Sequence, residues 1–246
     1  SQDHGIHRHL SQSNRLLANL VVAIYLLQCQ TRGFANVHRR VFSFCQLLAT
    51  HAEQIPVNKN TLKQKLNDGK ATIGPFVGLP SPGMTETMGW MGFDFVVIDC
   101  EHGPMDYETA EHMIRAAELS GTTAILRIGL NEQQHIQRYM DAGAAGVMIP
   151  LINDAADGKA VVDAVKYPPM GKRGAFAGRN ARFGLQDMAE YIKESNEETF
   201  VSLQIETPEG IENADEIIAT DNADAIFLGP GDLSVNFGIP GQTMSD

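Results

Sequence analysis

The amino-acid sequence predicts an α/β fold in which a parallel sheet is built from repeated strand–helix units. From about residue 60 onward, short runs rich in Val, Ile and Phe recur along the chain. Amphipathic stretches of helical period separate these runs, and all but one of the gaps between strand starts are 22 to 29 residues long. Strands that are apolar on both faces and alternate with helices are typical of parallel sheets covered by helices.

The predicted elements follow one another in a regular order. The segment NTLKQKLNDGK (60–70) has an asparagine N-cap and a glycine stop, so it predicts a short helix. Longer amphipathic helices are predicted over 107–121 and 131–144. Six strands are predicted, at 71–79, 93–99, 123–128, 146–152, 200–205 and 224–229.

The ends of these strands favour a (β/α)8 TIM barrel over a Rossmann fold. No GxGxxG motif follows the first strand, and chemically active side chains follow several different strands. The sixth strand comes shortly before Asp246, and residues 1–55 lack the β-branched runs of two further units. We therefore expect residues 56–246 to form a C-terminally truncated barrel of about six βα units, or a partial gene product.

Residues 1–55 are predicted to form a separate helical or disordered extension. They are rich in Arg and poor in acidic residues, which resembles an organelle transit peptide. A loosely docked extension and translated upstream sequence are the alternatives. We expect a cytoplasmic protein, or a mitochondrial or plastid one if the extension is a transit peptide.

The composition argues against several classes of partner and site. A net charge of −11 lacks the basic footprint that general nucleic-acid binding requires. The longest apolar run, 19–29, is too short for a membrane span, which needs about 18 residues. The cysteines are odd in number and irregularly spaced, so no disulfide framework is expected from Cys29, Cys45 and Cys100.

Two acidic residues, Glu206 and Asp232, each come directly after a short apolar strand. A carboxylate without a partner beside an apolar core is energetically costly, so its presence there calls for a reason. At the ends of neighbouring strands, two carboxylates supply hard oxygen ligands for one divalent cation. Helix-capping or ion-paired carboxylates are the structural alternative.

Further chemically active side chains follow two other strands. The run FVVIDCEH ends in Asp99, Glu101 and His102, and TAILR ends in Arg127. A base and a cation able to hold a carboxylate therefore lie at the same end of the sheet as the two acidic residues. A core histidine and a structural salt bridge are the alternatives, but the combined layout is that of an enzyme site.

Four sequence segments together resemble the HpcH/HpaI aldolase family of metal-dependent pyruvate aldolases. They are VVIDCEHGPMD (96–106), RYMDAGAAGVMIP (138–150), YPPMGKRG (167–174) and the pair QIETPEGIEN (204–213) with FLGPGDLS (227–234). Each segment alone is a weak signal, but their order and spacing over residues 60–242 are specific. The family's last barrel strands and last helix have no counterpart here, and residues 1–55 have none in the family.

This resemblance implies a class II aldolase that reversibly cleaves a 4-hydroxy-2-oxo acid to pyruvate and an aldehyde. Glu206 and Asp232 would bind Mg²⁺, Mn²⁺ or Co²⁺, which stabilises the enolate formed when a C–C bond breaks beside a carbonyl. Backbone N–H groups of Gly231 and Asp232 would hold the pyruvate carboxylate. The expected partners are the keto acid and other copies of the chain in a homo-oligomer, with no nucleic acid and no membrane.

The resemblance also implies roles for the remaining residues. Arg127 would contact the keto acid. His102 would be the general base that takes the proton of the C4 hydroxyl, and Asp99 would orient its imidazole. Gln204 lies on the same strand face as Glu206 by period-2 alternation and could therefore touch the same ligand.

Other interpretations stay open at this point. None of the eight lysines follows an apolar strand, which favours metal over Schiff-base chemistry. An acyl-CoA lyase of the citryl or malyl type and an inactive truncated fragment are alternative functions. The glycine-rich segment in the wide gap 151–200 either selects acidic substrates or is a solvated connector; its arginines are Arg173, Arg179 and Arg182.

Overall fold

A computed structural model describes residues 59–243 of this protein, so the predicted extension over residues 1–55 lies outside the described residues. The sheet has six parallel strands that pair in the order in which they occur along the chain. This order is what consecutive right-handed βα units produce. The strands are β1 (Phe76–Val77), β2 (Phe95–Asp99), β3 (Thr123–Arg127), β4 (Gly146–Ile149), β5 (Phe200–Ile205) and β6 (Ala225–Leu228).

Capping residues in the local sequence mark where two of the helices begin or end. Asn60 accepts a hydrogen bond from the amide of Lys63 and so caps the first helix, while Gly121 adopts the left-handed conformation that ends the helix before β3. In chain order the helices are α1 (Thr61–Asn67), α2 (Pro82–Trp90), α3 (Tyr107–Ser120), α4 (Gln133–Asp141), α5 (Ala155–Val165), α6 (Met188–Glu198), α7 (Pro208–Glu212), α8 (Ala214–Ile218) and α9 (Pro230–Asn236).

Alternation along the strands gives the sheet two different faces. The outer face packs against the helices in the main core, and each fully buried Val, Ile or Leu stabilises it by about 1.5–3 kcal/mol. Outer-face residues include Val96, Ile98, Leu126, Val147, Ile149, Val201 and Leu203. The inner face carries the alternate residues, and its lower part forms a second, smaller cluster of Leu62, Val97, Ile125, Met148 and Phe200.

The sheet curls into a half-barrel around this inner face. Phe76 and Phe227 belong to the two edge strands, β1 and β6, yet their ring centroids are only 5.6 Å apart. Two residues at opposite edges of a flat six-stranded sheet would be about 24 Å apart, given strand spacings near 4.8 Å. The predicted arc of six parallel strands is therefore confirmed.

The first strand is shorter than predicted: it covers Phe76–Val77 rather than 71–79. Gly74 lies so close to β2 that an added Cβ would be 2.3 Å from the carbonyl oxygen of Phe95. Pro75, the next residue, lacks a backbone N–H and so cannot extend the ladder as a donor. Only the two residues after it pair in register with β2.

The chain divides into two compact units, and the sheet belongs to the one formed by residues 59–180 and 195–246. The other unit includes residues 181–194, where Arg182 and Phe183 have φ values of 51° and 54°. Across residues 59–243, no helix is long and apolar enough to cross a membrane.

A polar network closes the amino end of the sheet. The Asn60 side chain donates to the carbonyl oxygens of Ala145 (3.0 Å) and Glu198 (2.9 Å). Lys166, which is 1% exposed, donates to the carbonyl oxygens of Asn196 (2.9 Å) and Thr199 (2.7 Å). Burial, with a smaller contribution from the nearby Lys63, lowers the pKa of Lys166 to about 8. These contacts connect the start of α1 and the end of α5 to α6 and to the loops before β4 and β5.

Candidate active site

The polar residues of the site meet because they continue the inner face beyond its apolar layer. Asp99 follows the inner-facing Val97, Arg127 follows Ile125, and Glu206 follows Gln204 at intervals of two residues. Asp99 and Arg127 are also direct neighbours in the register of β2 and β3. Period-2 alternation therefore brings these side chains to the carboxyl end of the inner face.

Arg127 and Asp99 form a two-pronged ion pair. Arg127 Nε donates to Asp99 Oδ1 at 2.9 Å, and Nη2 donates to Oδ2 at 2.6 Å. Burial alone would raise the pKa of Asp99, but the bonds from Arg127 and from the amides of His102 and Glu101 lower it below its ordinary value. The guanidinium also lies 4.9 Å above the ring of Phe76. Arg127 is thus held in one orientation.

Glu101 is a second acidic residue beside Arg127. Its Oε2 atom is 3.2 Å from Arg127 Nε, but it is buried and has no hydrogen-bond partner. Burial raises the pKa of Glu101; Arg127 and His102 oppose that rise, while Glu206 and Asp99 add to it. A buried carboxylate oxygen without a donor is costly unless something else binds it. From the sequence, Glu101 is expected to tie the site together or to reach the metal through water, and its position beside Arg127 places it within the site.

The imidazole of His102 is arranged differently from the prediction. Its side chain is 67% exposed, and its Nε2 lies 3.8 Å from Glu101 Oε2. Asp99 contacts His102 only through the backbone amide, at 3.2 Å. The expectation that Asp99 orients the imidazole is therefore wrong for this structure. The strand register places Asp99 opposite Arg127, whose fork occupies both oxygens of the carboxylate.

Glu206 is 3% exposed and is held through both of its oxygens. The backbone amide of Leu151 donates to Oε1 at 3.0 Å, and Gln204 Nε2 donates to Oε2 at 2.5 Å. The prediction that Gln204 and Glu206 share a strand face agrees with this contact. The other amide atom of Gln204, Oε1, is buried and has no hydrogen-bond partner. The carboxylate group is thus held by Gln204 of β5 and by Leu151 in the loop that follows β4.

The glycine-rich turn after β6 packs against this carboxylate. A Cβ added to Gly229 would lie 2.7 Å from Glu206 Oε2, so only glycine allows the approach. Asp232 and Gly231 follow in the first turn of α9, where both are exposed. Asp232 therefore lies three residues beyond the glycine that touches Glu206.

The oxygen atoms present here suit a hard divalent cation. The buried acceptors Glu101 Oε2 and Gln204 Oε1 lack hydrogen-bond partners, and Glu206 and Asp232 add carboxylate oxygens. Mg²⁺ and Mn²⁺ prefer such ligands and keep open positions for water or substrate. In the part of the chain that the structure describes, no group of three or more His, Cys, Asp or Glu side chains could hold a metal ion. The residues therefore suit at most a two-carboxylate site, in which water or substrate would complete the coordination.

The arginines of the segment between α5 and α6 are used for packing instead. Arg173 is fully buried and donates to Asp141 at 2.7 Å. Arg179 donates to the carbonyl oxygen of Ala142 and pairs with Glu118 at 2.5 Å. These partners lie at the ends of α3 and α4 that lead into the amino ends of strands. These contacts show a structural role for Arg173 and Arg179 and do not support substrate selection by them, while packing of this segment on a neighbouring subunit stays a prediction.

Comparisons with known proteins show which family this chain resembles in sequence. The family model described as HpcH/HpaI aldolase/citrate lyase matches residues 72–245. A 2-dehydro-3,6-dideoxy-6-sulfogluconate aldolase of Pseudomonas putida is 38% identical over 165 residues, which cover 67% of this chain and 64% of that protein. A hydroxypyruvate/pyruvate aldolase of Roseovarius nubinhibens is 33% identical over 188 residues, which cover 76% and 73%.

A solved structure shows the same likeness in three dimensions. The crystal structure of an HpcH/HpaI aldolase from Desulfitobacterium hafniense DCB-2 has a TM-score of 0.71 and 35% identity to this chain, covering 75% of this chain and 71% of that one. Aldolases are carbon–carbon lyases, which is the enzyme class that the sequence predicts. This chain belongs to the HpcH/HpaI aldolase/citrate lyase family.

Proposed function

We propose that this chain is a divalent-metal-dependent aldolase that cleaves a 4-hydroxy-2-oxo acid to pyruvate and an aldehyde. The observation that carries the proposal is the buried Glu206, whose two oxygens are oriented by Leu151 and Gln204. The chain belongs to a family whose relatives bear aldolase names. It spans 64% of the length of the Pseudomonas putida relative. The activity is therefore put forward as a proposal.

Glu206 and Asp232 hold the cation in this proposal. A divalent ion bound there would polarise the keto oxygen of the substrate and stabilise the negative charge that develops on the pyruvate enolate. Gln204 orients Glu206 and presents its unpartnered Oε1 to the ligand. The amides of Gly231 and Asp232 bind the pyruvate carboxylate.

Arg127 and His102 act on the organic substrate. Arg127, kept in place by Asp99, donates to the keto acid and steadies developing negative charge. His102 takes the proton of the C4 hydroxyl as the C3–C4 bond breaks; its exposed imidazole is able to reach a substrate or a bridging water. Asp99 thus acts by orienting Arg127, and Glu101 is a second acidic neighbour of Arg127.

A pyruvate-release assay with added Mg²⁺, Mn²⁺ or Co²⁺ tests this proposal. We expect release from one or more 4-hydroxy-2-oxo acids, and we expect EDTA to abolish it. Release that persists in EDTA would contradict the metal site. Release that requires coenzyme A thioesters would favour an acyl-CoA lyase, and an inert, aggregating protein would favour an inactive fragment. A homo-oligomeric assembly and a cytoplasmic location stay predictions.

A further inference from the structure

The loop after β4 contains a leucine in an unusual backbone conformation. Leu151 has φ 56°, in the left-handed region that residues with a Cβ rarely adopt. Such a conformation is energetically unfavourable for leucine and persists only where the surroundings impose it. Asn222, at φ 66°, shares the conformation, but asparagine tolerates it well. The local sequence alone therefore does not account for the turn at Leu151.

The contacts of this turn show what imposes the conformation. The amide of Leu151 donates to Glu206 Oε1 at 3.0 Å, and the next amide, of Ile152, donates to the carbonyl oxygen of Gln204 at 3.1 Å. Ile152 is fully buried, whereas Leu151 is 53% exposed. The left-handed turn thus directs one amide to a buried carboxylate and anchors the following residue on β5. It gains no comparable burial for the leucine side chain.

We propose that Leu151 is a positioning residue whose main-chain amide sets the orientation of Glu206 for binding a divalent cation. Gln204 holds Oε2 and Leu151 holds Oε1, so the carboxylate loses its rotational freedom before the cation arrives. Groups that orient a ligand in this way typically contribute 10- to 100-fold to metal affinity. The inference rests on the proposed metal site, but it concerns a backbone group that no sequence motif for carboxylate ligands includes.

The test is Mn²⁺ affinity, measured by calorimetry or by the electron paramagnetic resonance of free Mn²⁺, on folded protein. Leu151→Pro removes the N–H and forbids a positive φ. We expect it to weaken Mn²⁺ binding about 10- to 100-fold. Leu151→Asn keeps the amide and tolerates the left-handed region, so we expect it to retain the affinity of the original chain within about threefold. Asn222→Pro is the matched control, since it places proline at another left-handed position away from the site; its Mn²⁺ affinity should be unchanged.

The outcomes separate this inference from the proposed function. If Glu206→Gln binds Mn²⁺ as tightly as the original chain, or if neither binds it, the metal site fails and the inference fails with it. If Glu206→Gln loses affinity while folded Leu151→Pro retains it, the positioning role alone is wrong. If Leu151→Pro does not fold, Leu151→Val decides. It keeps the amide, but its β-branched side chain opposes the left-handed conformation, so a weaker affinity than in Leu151→Asn supports the inference, and equal affinities contradict it.

Discussion

The two ends of the sheet are both polar, but their polar groups are satisfied in different ways. At the amino end, Lys166 and Asn60 donate to backbone carbonyls, and Lys63 pairs with Asp224 at 2.9 Å. At the carboxyl end, Arg127 and Glu206 are firmly held, yet Glu101 Oε2 and Gln204 Oε1 are buried without hydrogen-bond partners. Buried acceptors cost free energy when they lack donors, so the carboxyl end is arranged for a ligand and the amino end for stability.

The difference shows that residue type does not distinguish the two ends. Each contains lysine or arginine, acidic side chains and a carboxamide. What differs is the partner: protein backbone at one end, and unfilled oxygen ligands at the other. Substitutions at the amino end should therefore lower stability, while those at the carboxyl end should mainly lower activity.

The largest expected effect comes from the two proposed metal ligands. Glu206→Gln and Asp232→Asn should each slow the exchange of the pyruvate methyl protons with deuterium about 10³-fold, because charge stabilisation worth several kcal/mol is lost. Proton NMR in D₂O with Mg²⁺ measures the exchange. Asp224→Asn, at the amino end, is the control and should lower the melting temperature while keeping exchange per folded molecule. Equal exchange in all three variants would remove the functional contrast between the ends.

A second effect concerns the proposed base. His102→Ala should slow cleavage of a 4-hydroxy-2-oxo acid about 10²- to 10⁴-fold, with Mg²⁺ affinity nearly unchanged. His135→Ala is a suitable control, since His135 bonds to the Tyr107 hydroxyl at 2.8 Å, outside the site. An equal loss of metal affinity in His102→Ala would show that His102 is a ligand rather than a base.

The Arg127–Asp99 pair should contribute to stability as well as to function. Arg127→Met leaves Asp99 buried without its cation and should lower the free energy of unfolding by about 3–5 kcal/mol. Urea denaturation measures this loss, and the double variant with Asp99→Asn should recover part of it. Failure of the double variant to recover would mean that Arg127 stabilises the fold through packing on Phe76.

The same pair sets a dependence on pH with a defined sign. Because the pKa of Asp99 is lowered by folding, its contribution is complete above the ordinary aspartate value near 4 and is lost as the pH falls through the folded pKa. The original chain should therefore lose stability below about pH 4 more steeply than the double variant.

The smallest effect belongs to the amino end, where stability also rises with pH but in an alkaline range. Lys166 has a folded pKa of about 8 against an ordinary value of 10.5, so the unfolded state binds more protons between these values. Stability from this group should rise with pH across that window, by at most about 3 kcal/mol. Lys166→Met should lack this rise in urea titrations at pH 8 and 10. An identical pH dependence in both proteins would show that Lys166 keeps its ordinary pKa.

Much of the fold and part of the site are determined by the sequence alone. The βα alternation predicted six parallel strands, and Asn60 and Gly69 predicted where the first helix begins and ends. These features depend on residues close together in the chain, whose spacing fixes capping and the inner or outer face of a strand. The same alternation placed Gln204 and Glu206 on one face.

Only the tertiary structure decided which groups bind each other. Register pairs Asp99 with Arg127 instead of the His102 imidazole, and it is the packing of α3 and α4 that claims Arg173 and Arg179. Leu151 gave no signal in the sequence, because its part in the site belongs to a backbone amide that every residue except proline carries. A local pattern states which groups are present. Long-range packing then selects one partner for each of them, since that choice depends on distances between strands and helices far apart in the chain.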